Sequence, residues 1–254
     1  MEITSQNEPE TAWKATSWRF SAFVSDIMIK LDGASEFKKF FELDHEDQTH
    51  RASEMSDRFS VLGPVQGFEV MCTPGKIDFI VRAPANVEID DADAVLKLGD
   101  CTERLQIFRE SVLKFLSART DLRRIAVGAE LFQEVRSKFA GYKLLESRLM
   151  SVKLHPETSS EFGYQINIPR RVDLGGNTVE INRYMQWSCA KAVFTIELNK
   201  GESKTVNRNH ARVVTDVNSD DSFDVSKLSQ TNLLDLSTTL FDYTAEIARK
   251  GECE

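Results

Sequence analysis

The chain has 254 residues, 41% hydrophobic and 28% charged, a balance typical of soluble globular proteins and a length that buries a substantial core. It contains no apolar run of about 18 residues, so no helical membrane span is expected, and its polar, acidic first residues predict no secretory leader. The net charge of -8 is uneven: residues 122–212 carry 15 Lys and Arg against 9 Asp and Glu, whereas residues 1–119 carry 14 against 21 and residues 213–254 carry 3 against 9.

In chain order, residues 1–12 read as a disordered tail. AWKATSWRFSAFVS then alternates around Trp18, Phe20 and Ala22, which predicts a strand. SEFKKFFEL predicts a short helix capped by Ser35, with Phe37, Phe40 and Phe41 on one side. HEDQTHRASEMSD is polar and reads as a mobile link. RFSVLG, GFEVMC and KIDFIVRA follow as β-rich runs, the last two joined by TPG as a hairpin. DCTERLQIFRESVLKFL is the clearest helix. Asp100 and Glu103 resemble a capping box, and Leu105, Phe108, Val112, Phe115 and Leu116 make a stripe that needs a sheet to cover it.

The second half has the same order. LRRIAVGAELFQEV predicts a strand and RSKFAGYKLLESRLM a helix with Phe139, Tyr142, Leu145 and Leu149 inward. FGYQINIPRRV, TVEINRYMQW, AKAVFTIEL and ARVVTDVN read as strands. A closing helix over Gln230 to Lys250 carries Leu233, Leu236, Leu240, Tyr243 and Ile247 at 3-4-3-4 spacing. The expected fold is α+β, with antiparallel sheets and helices packed on one face. The order also fits two similar strand-helix-strand-strand-helix halves, residues 13–120 and 121–254.

The candidate chemistry is thin. DLGGN, at Gly175 and Gly176, has the residues of a positive-φ turn and matches neither phosphate-binding loop pattern. Arg170, Arg171 and Arg183 flank this turn with Tyr184 and Trp187. Basic residues mixed with aromatics on strands are able to hold single-stranded nucleic acid through phosphate contacts and base stacking, so these five are candidate binding residues. Asp216, Asp220 and Asp221 cluster behind a strand, where magnesium sites occur, although acidic loops ahead of helices are commoner. The four histidines and four cysteines lack metal-ligand spacing, and structural, reduced thiols are expected. No nucleophile elbow and no Glu-x-Lys nuclease pair occurs, since Glu197 and Lys200 are one residue too far apart.

RRIAVGAELFQEV, RVVTDVNS and LLDLSTTLFDYTAEI, about a third of the chain, resemble a sporadically distributed family of uncharacterised bacterial proteins of about 250 residues. The resemblance implies a two-part α+β fold, no established activity, and a setting among mobile or defence-related genes, hence a subunit of a bacterial phage-defence complex.

The sequence therefore reads as a non-enzymatic, cytoplasmic interaction protein without a cofactor, partnered by another protein or a second copy. Leu236, Leu240 and Tyr243 of the closing helix are the candidate interface. A nucleic-acid-binding module using residues 122–212 and a metal-dependent hydrolase on the three aspartates are the alternatives.

Overall fold

A computed structural model describes residues 13–26, 31–63, 66–83, 98–158, 161–197 and 203–252, and the side chains among them except 99–103, 192–197, 203, 204 and 206. The twelve-residue tail and the capping side chains of Asp100 and Glu103 lie outside this description, as do Lys200 and the side chain of Glu197.

At the centre lies β1 (Lys14–Val24), where the alternation around Trp18, Phe20 and Ala22 buries one face of the strand. It pairs antiparallel with β5 (Lys76–Arg82) on one side and β7 (Leu122–Val135) on the other. Beyond β5 come β4 (Gly67–Thr73), β3 (Ser56–Leu62) and β2 (Asp47–Arg51). Beyond β7 come β11 (Ser203–Ser219), β10 (Asn177–Glu197) and β8 (Gly163–Asn167). The short β6 (Gly99–Asp100) pairs with β1, and β9 (Arg170–Leu174) pairs with β10, completing an eleven-stranded sheet. Residues 13–120 and 121–254 thus each contribute one side of a continuous sheet, and in both the last long strand lies against the first.

Helices cover one face. α1 (Gly33–Phe41) lies on β3, β4 and β5. α2 (Cys101–Ser117) crosses β1 between α1 and α4 (Gln230–Lys250), while α3 (Lys138–Arg148) and α4 cover β7, β10 and β11. Strand register explains the core. Phe59, Val70, Phe79, Phe20, Val127, Val217 and Arg183 stand side by side on consecutive strands from β3 to β10. All are 5% exposed or less. Phe40 stacks on Phe79 at 3.9 Å, and Phe115 meets both Phe20 and Phe79 edge-on. Each such large side chain contributes roughly 1.5–3 kcal/mol on burial.

Five local expectations change, the first being that FGYQINIPRRV forms two strands, β8 and β9, with Ile168 and Pro169 between them. The α1 cap is Asp32, whose carboxylate accepts from the Ser35 amide, so the helix begins before Ser35. The polar link contains β2, an edge strand with every side chain exposed and hence no apolar alternation to announce it. TVEINRYMQW and AKAVFTIE lie in one 21-residue strand, β10, because no Gly, Pro, Asn or Asp separates them. Phe139 is 40% exposed on the outer side of α3, while Tyr142 and Leu145 face inward.

Candidate functional site: the open face of the sheet

The sheet face opposite the helices is polar because its residues are the alternate ones along each strand. One lateral row runs Arg19, Gly128, Asp216, Tyr184, Asn167 across β1, β7, β11, β10 and β8. The next row runs Ser21, Ala126, Asn218, Asn182. Arg19, Asp216, Tyr184 and Asn167 of the first row and Asn218 and Asn182 of the second, with Arg124, line a shallow basin of about 420 Å³.

Its side chains form a connected network. Arg19 donates to Asp216 at 2.6 Å, crossing the strand between them over Gly128. A Cβ at Gly128 would lie 3.3 Å from the guanidinium and from the Thr215 carbonyl, a tight contact that the missing side chain relieves. Asn218 donates to Asp216 at 2.7 Å and accepts from Arg124 and Asn182. Arg124 also reaches Asp221 at 2.8 Å and lies over the Phe23 ring. Asn167 and Asn182 join at 2.8 Å, and Asn182 also donates to Asp220. Hydrogen bonds from the Ser222 hydroxyl and amide, then from Asn182, hold the Asp220 carboxyl below its usual value.

This geometry divides the residues singled out in the sequence. Tyr184 stands on the open face and lines the basin. Trp187 is fully buried on the other face, edge-on to Trp13 at 5.9 Å, so it offers no stacking surface. Arg183 is also fully buried, with Glu246 of α4 3.8 Å away and the Tyr243 ring beneath its guanidinium. Arg170 joins it there, 3.2 Å from the same carboxylate and over the same ring. Arg171 pairs instead with Glu180 at 3.2 Å and is exposed. The three arginines therefore do not share a face, since Arg171 and Arg170 are neighbours on a strand and point to opposite sides.

The stripe on α4 is likewise spent on its own sheet. Leu236 and Leu240 are fully buried, and Tyr243 is half-buried against the two arginines. That corrects the expectation of a docking seam at these residues. The glycine turn is a turn: Gly175 and Gly176 have φ of 61° and 85°, and the Asp173 carboxylate caps the Gly176 amide.

Charge interleaves across the open face. Arg208 pairs with Glu134 and Arg212 with Glu130, both at 2.6 Å, while Arg58 and Arg82 share Glu69. Two arginines of the basic segment are thus paired with acids of the neighbouring strand β7. Asp216, Asp220 and Asp221 each have their own donors, and among the described residues no group of three His, Cys, Asp or Glu is placed to hold a metal ion. The Ser21 hydroxyl donates to Asp78, but the two are 2% and 1% exposed and Lys76 neutralises the carboxylate. Cys72 is buried, and that burial, followed by the charges of Asp57, Glu36, Asp78 and Asp32, pushes its thiol up to about 12.

Fold and site together define an α+β protein with one helix-covered and one open sheet face. The sequence matches no protein-family model and no curated protein. Among the described residues no helix is long and apolar enough to cross a membrane.

Proposed function

We propose that this protein is a non-enzymatic interaction subunit that receives a protein partner on the open face of its sheet, in a larger cytoplasmic bacterial assembly. The observation that carries this reading is the hydrogen-bonded network around the basin. Its groups are fixed in place before any partner arrives, so little side-chain entropy is lost on binding. Paired charges beside hydrogen-bonded amides and the Tyr184 phenol suit a polar protein surface of mixed sign. They suit nucleic acid poorly, because each phosphate contact would compete with a carboxylate already in place. The phage-defence setting rests on the sequence resemblance alone. The matching order of the two halves about the β1–β7 pair supports reading the chain as two repeats, with the basin built mostly on the second and completed by Arg19 of the first.

The test is a double variant, Asn182→Ala with Tyr184→Ala, expressed at native level. It is expected to keep its fold and melting temperature but to elute without the partner that co-purifies with the wild type in size-exclusion chromatography. A variant that retains the assembly, or a wild type that elutes as a bare monomer, overturns the reading. Binding to nucleic acid that falls steeply with salt would replace it with the nucleic-acid alternative.

A further inference from the structure

A second cavity lies on the other side of the sheet, between it and the helices. It holds about 50 Å³ and is walled by Phe41 of α1, Phe68, Val81 and Trp18 of β4, β5 and β1, and Ile107 and Phe108 of α2. That is room for a handful of heavy atoms, well short of a drug-sized ligand. Ile107 is 52% exposed, which puts the mouth beside it.

Two polar groups here lack the partners such groups normally have. Trp18 is 1% exposed, and among the described residues its indole N–H has no hydrogen-bond acceptor. Trp13 and Trp187 at least meet edge to face. Arg104 lines the same cavity and, among the described residues, has no carboxylate partner, in contrast to the arginines of the open face; its Nε is buried and unsatisfied. Gln66 and Ser111 add neutral polar atoms, and among the described residues no acidic side chain lines the wall. On α2, Arg104, Ile107, Phe108 and Ser111 follow one another at helical spacing along the cavity.

A buried donor without an acceptor costs free energy that a ligand would recover, and a guanidinium in an apolar wall attracts an anion more strongly than in water. We propose that this cavity binds an aliphatic carboxylate. Its head accepts from Arg104 and the Trp18 indole, and its short apolar chain lies against Phe41, Phe68 and Phe108 and leaves past Ile107. The same chemistry is offered by a free short-chain fatty acid and by the C-terminus of an apolar peptide.

The ¹⁵N-labelled full chain tests this, since its three tryptophans give three indole signals and Trp18→Phe identifies the relevant one. Hexanoate is expected to shift the Trp18 signal saturably, with hexanol and hexylamine each at least about tenfold weaker. Arg104→Gln is expected to weaken hexanoate by about the same factor and leave hexanol unchanged. Ile107→Glu, at an exposed position, gives the same loss of hexanoate if Arg104→Gln proves unstable. Acetyl-leucyl-leucine and its C-terminal amide separate the two sources. Tighter binding of the free-acid peptide than of hexanoate assigns the site to a chain end, and the reverse order assigns it to a fatty acid. No saturable shift, equal affinity for hexanol and hexanoate, or full affinity in both variants overturns the proposal.

Discussion

Two arginine–carboxylate pairs, one on each side of the sheet, show how placement outweighs distance. On the open face Arg19 and Asp216 meet at 2.6 Å with 39% and 32% of their side chains exposed. On the covered face Arg183, fully buried, is 3.8 Å from Glu246, itself 16% exposed. The shorter contact is screened by water and contributes about 0–1 kcal/mol. The longer one belongs to a cluster with Arg170, Lys250 and the Tyr243 ring, where losing the carboxylate removes the acid beside a fully buried guanidinium. Burial raises the Glu246 carboxyl, but the Lys250 hydrogen bond and the charges of Arg170, Lys250 and Arg183 outweigh it and hold the group below its ordinary value.

The largest expected effect breaks the covered pair. Glu246→Leu removes the carboxylate shared by Arg170, Arg183 and Lys250, and urea unfolding should register a loss of about 3 kcal/mol or more. A change below about 1 kcal/mol would place this pair level with the open one.

Next comes the turn that docks β9 and β10 on α4. A side chain at Gly175 would meet the Asn232 amide at 2.4 Å, while Gly176 faces open space, although both have positive φ. Gly176→Val should cost about 1 kcal/mol from backbone strain alone. Gly175→Val should cost clearly more, because it also displaces Asn232 from the Leu174 carbonyl. Equal losses would show that the packing on α4 does not matter.

A smaller effect appears in acid. Glu252 is 3% exposed and accepts from the Met150 and Ser151 amides, the Ser151 hydroxyl and Tyr164, tying the end of the described chain to the segment after α3. Burial raises its carboxyl, but the Ser151, Tyr164 and Met150 hydrogen bonds bring it below the ordinary 4.5. A depressed folded-state value means that the unfolded chain binds the proton more readily. The contribution of Glu252 is therefore complete above about pH 4.5 and is lost as pH falls through the folded value; Glu246 follows the same rule. Melting temperatures of Glu252→Gln should fall less steeply than wild type between pH 5 and 3, in units where about one pH step matters. Parallel curves would remove Glu252 from the linkage.

The smallest expected effect is that of Arg19→Ala, within about 1 kcal/mol of wild type by the same urea measurement. A larger loss would mean that the open-face network stabilises the fold as well as shaping a surface.

Much of the α+β architecture was legible because period told strand from helix: β7 and α4 fall on the predicted spans. The site was less legible, and parity explains why. Val179, Ile181, Met185 and Trp187 alternate toward the helices, and Arg183 has their parity. Strict alternation through residue 183 would have placed that arginine in the core and left Tyr184 outside. What no local pattern reveals is the lateral register that brings Arg19, Asp216 and Tyr184 together, because it depends on how strands 197 residues apart in sequence align. Edge strand β2 was missed for the opposite reason, since an all-exposed strand has no apolar period to detect.

The central claim is that partners are received on the open face. Hydroxyl-radical footprinting of the native assembly against the free chain tests it most directly, because labelled side chains stand on both sides of the sheet. Tyr184 and Phe132 on the open face should become protected, while Phe139 and Met150, exposed on the helix side at 40% and 67%, should label as in the free chain. Protection of Phe139 and Met150 with Tyr184 unchanged would contradict the account.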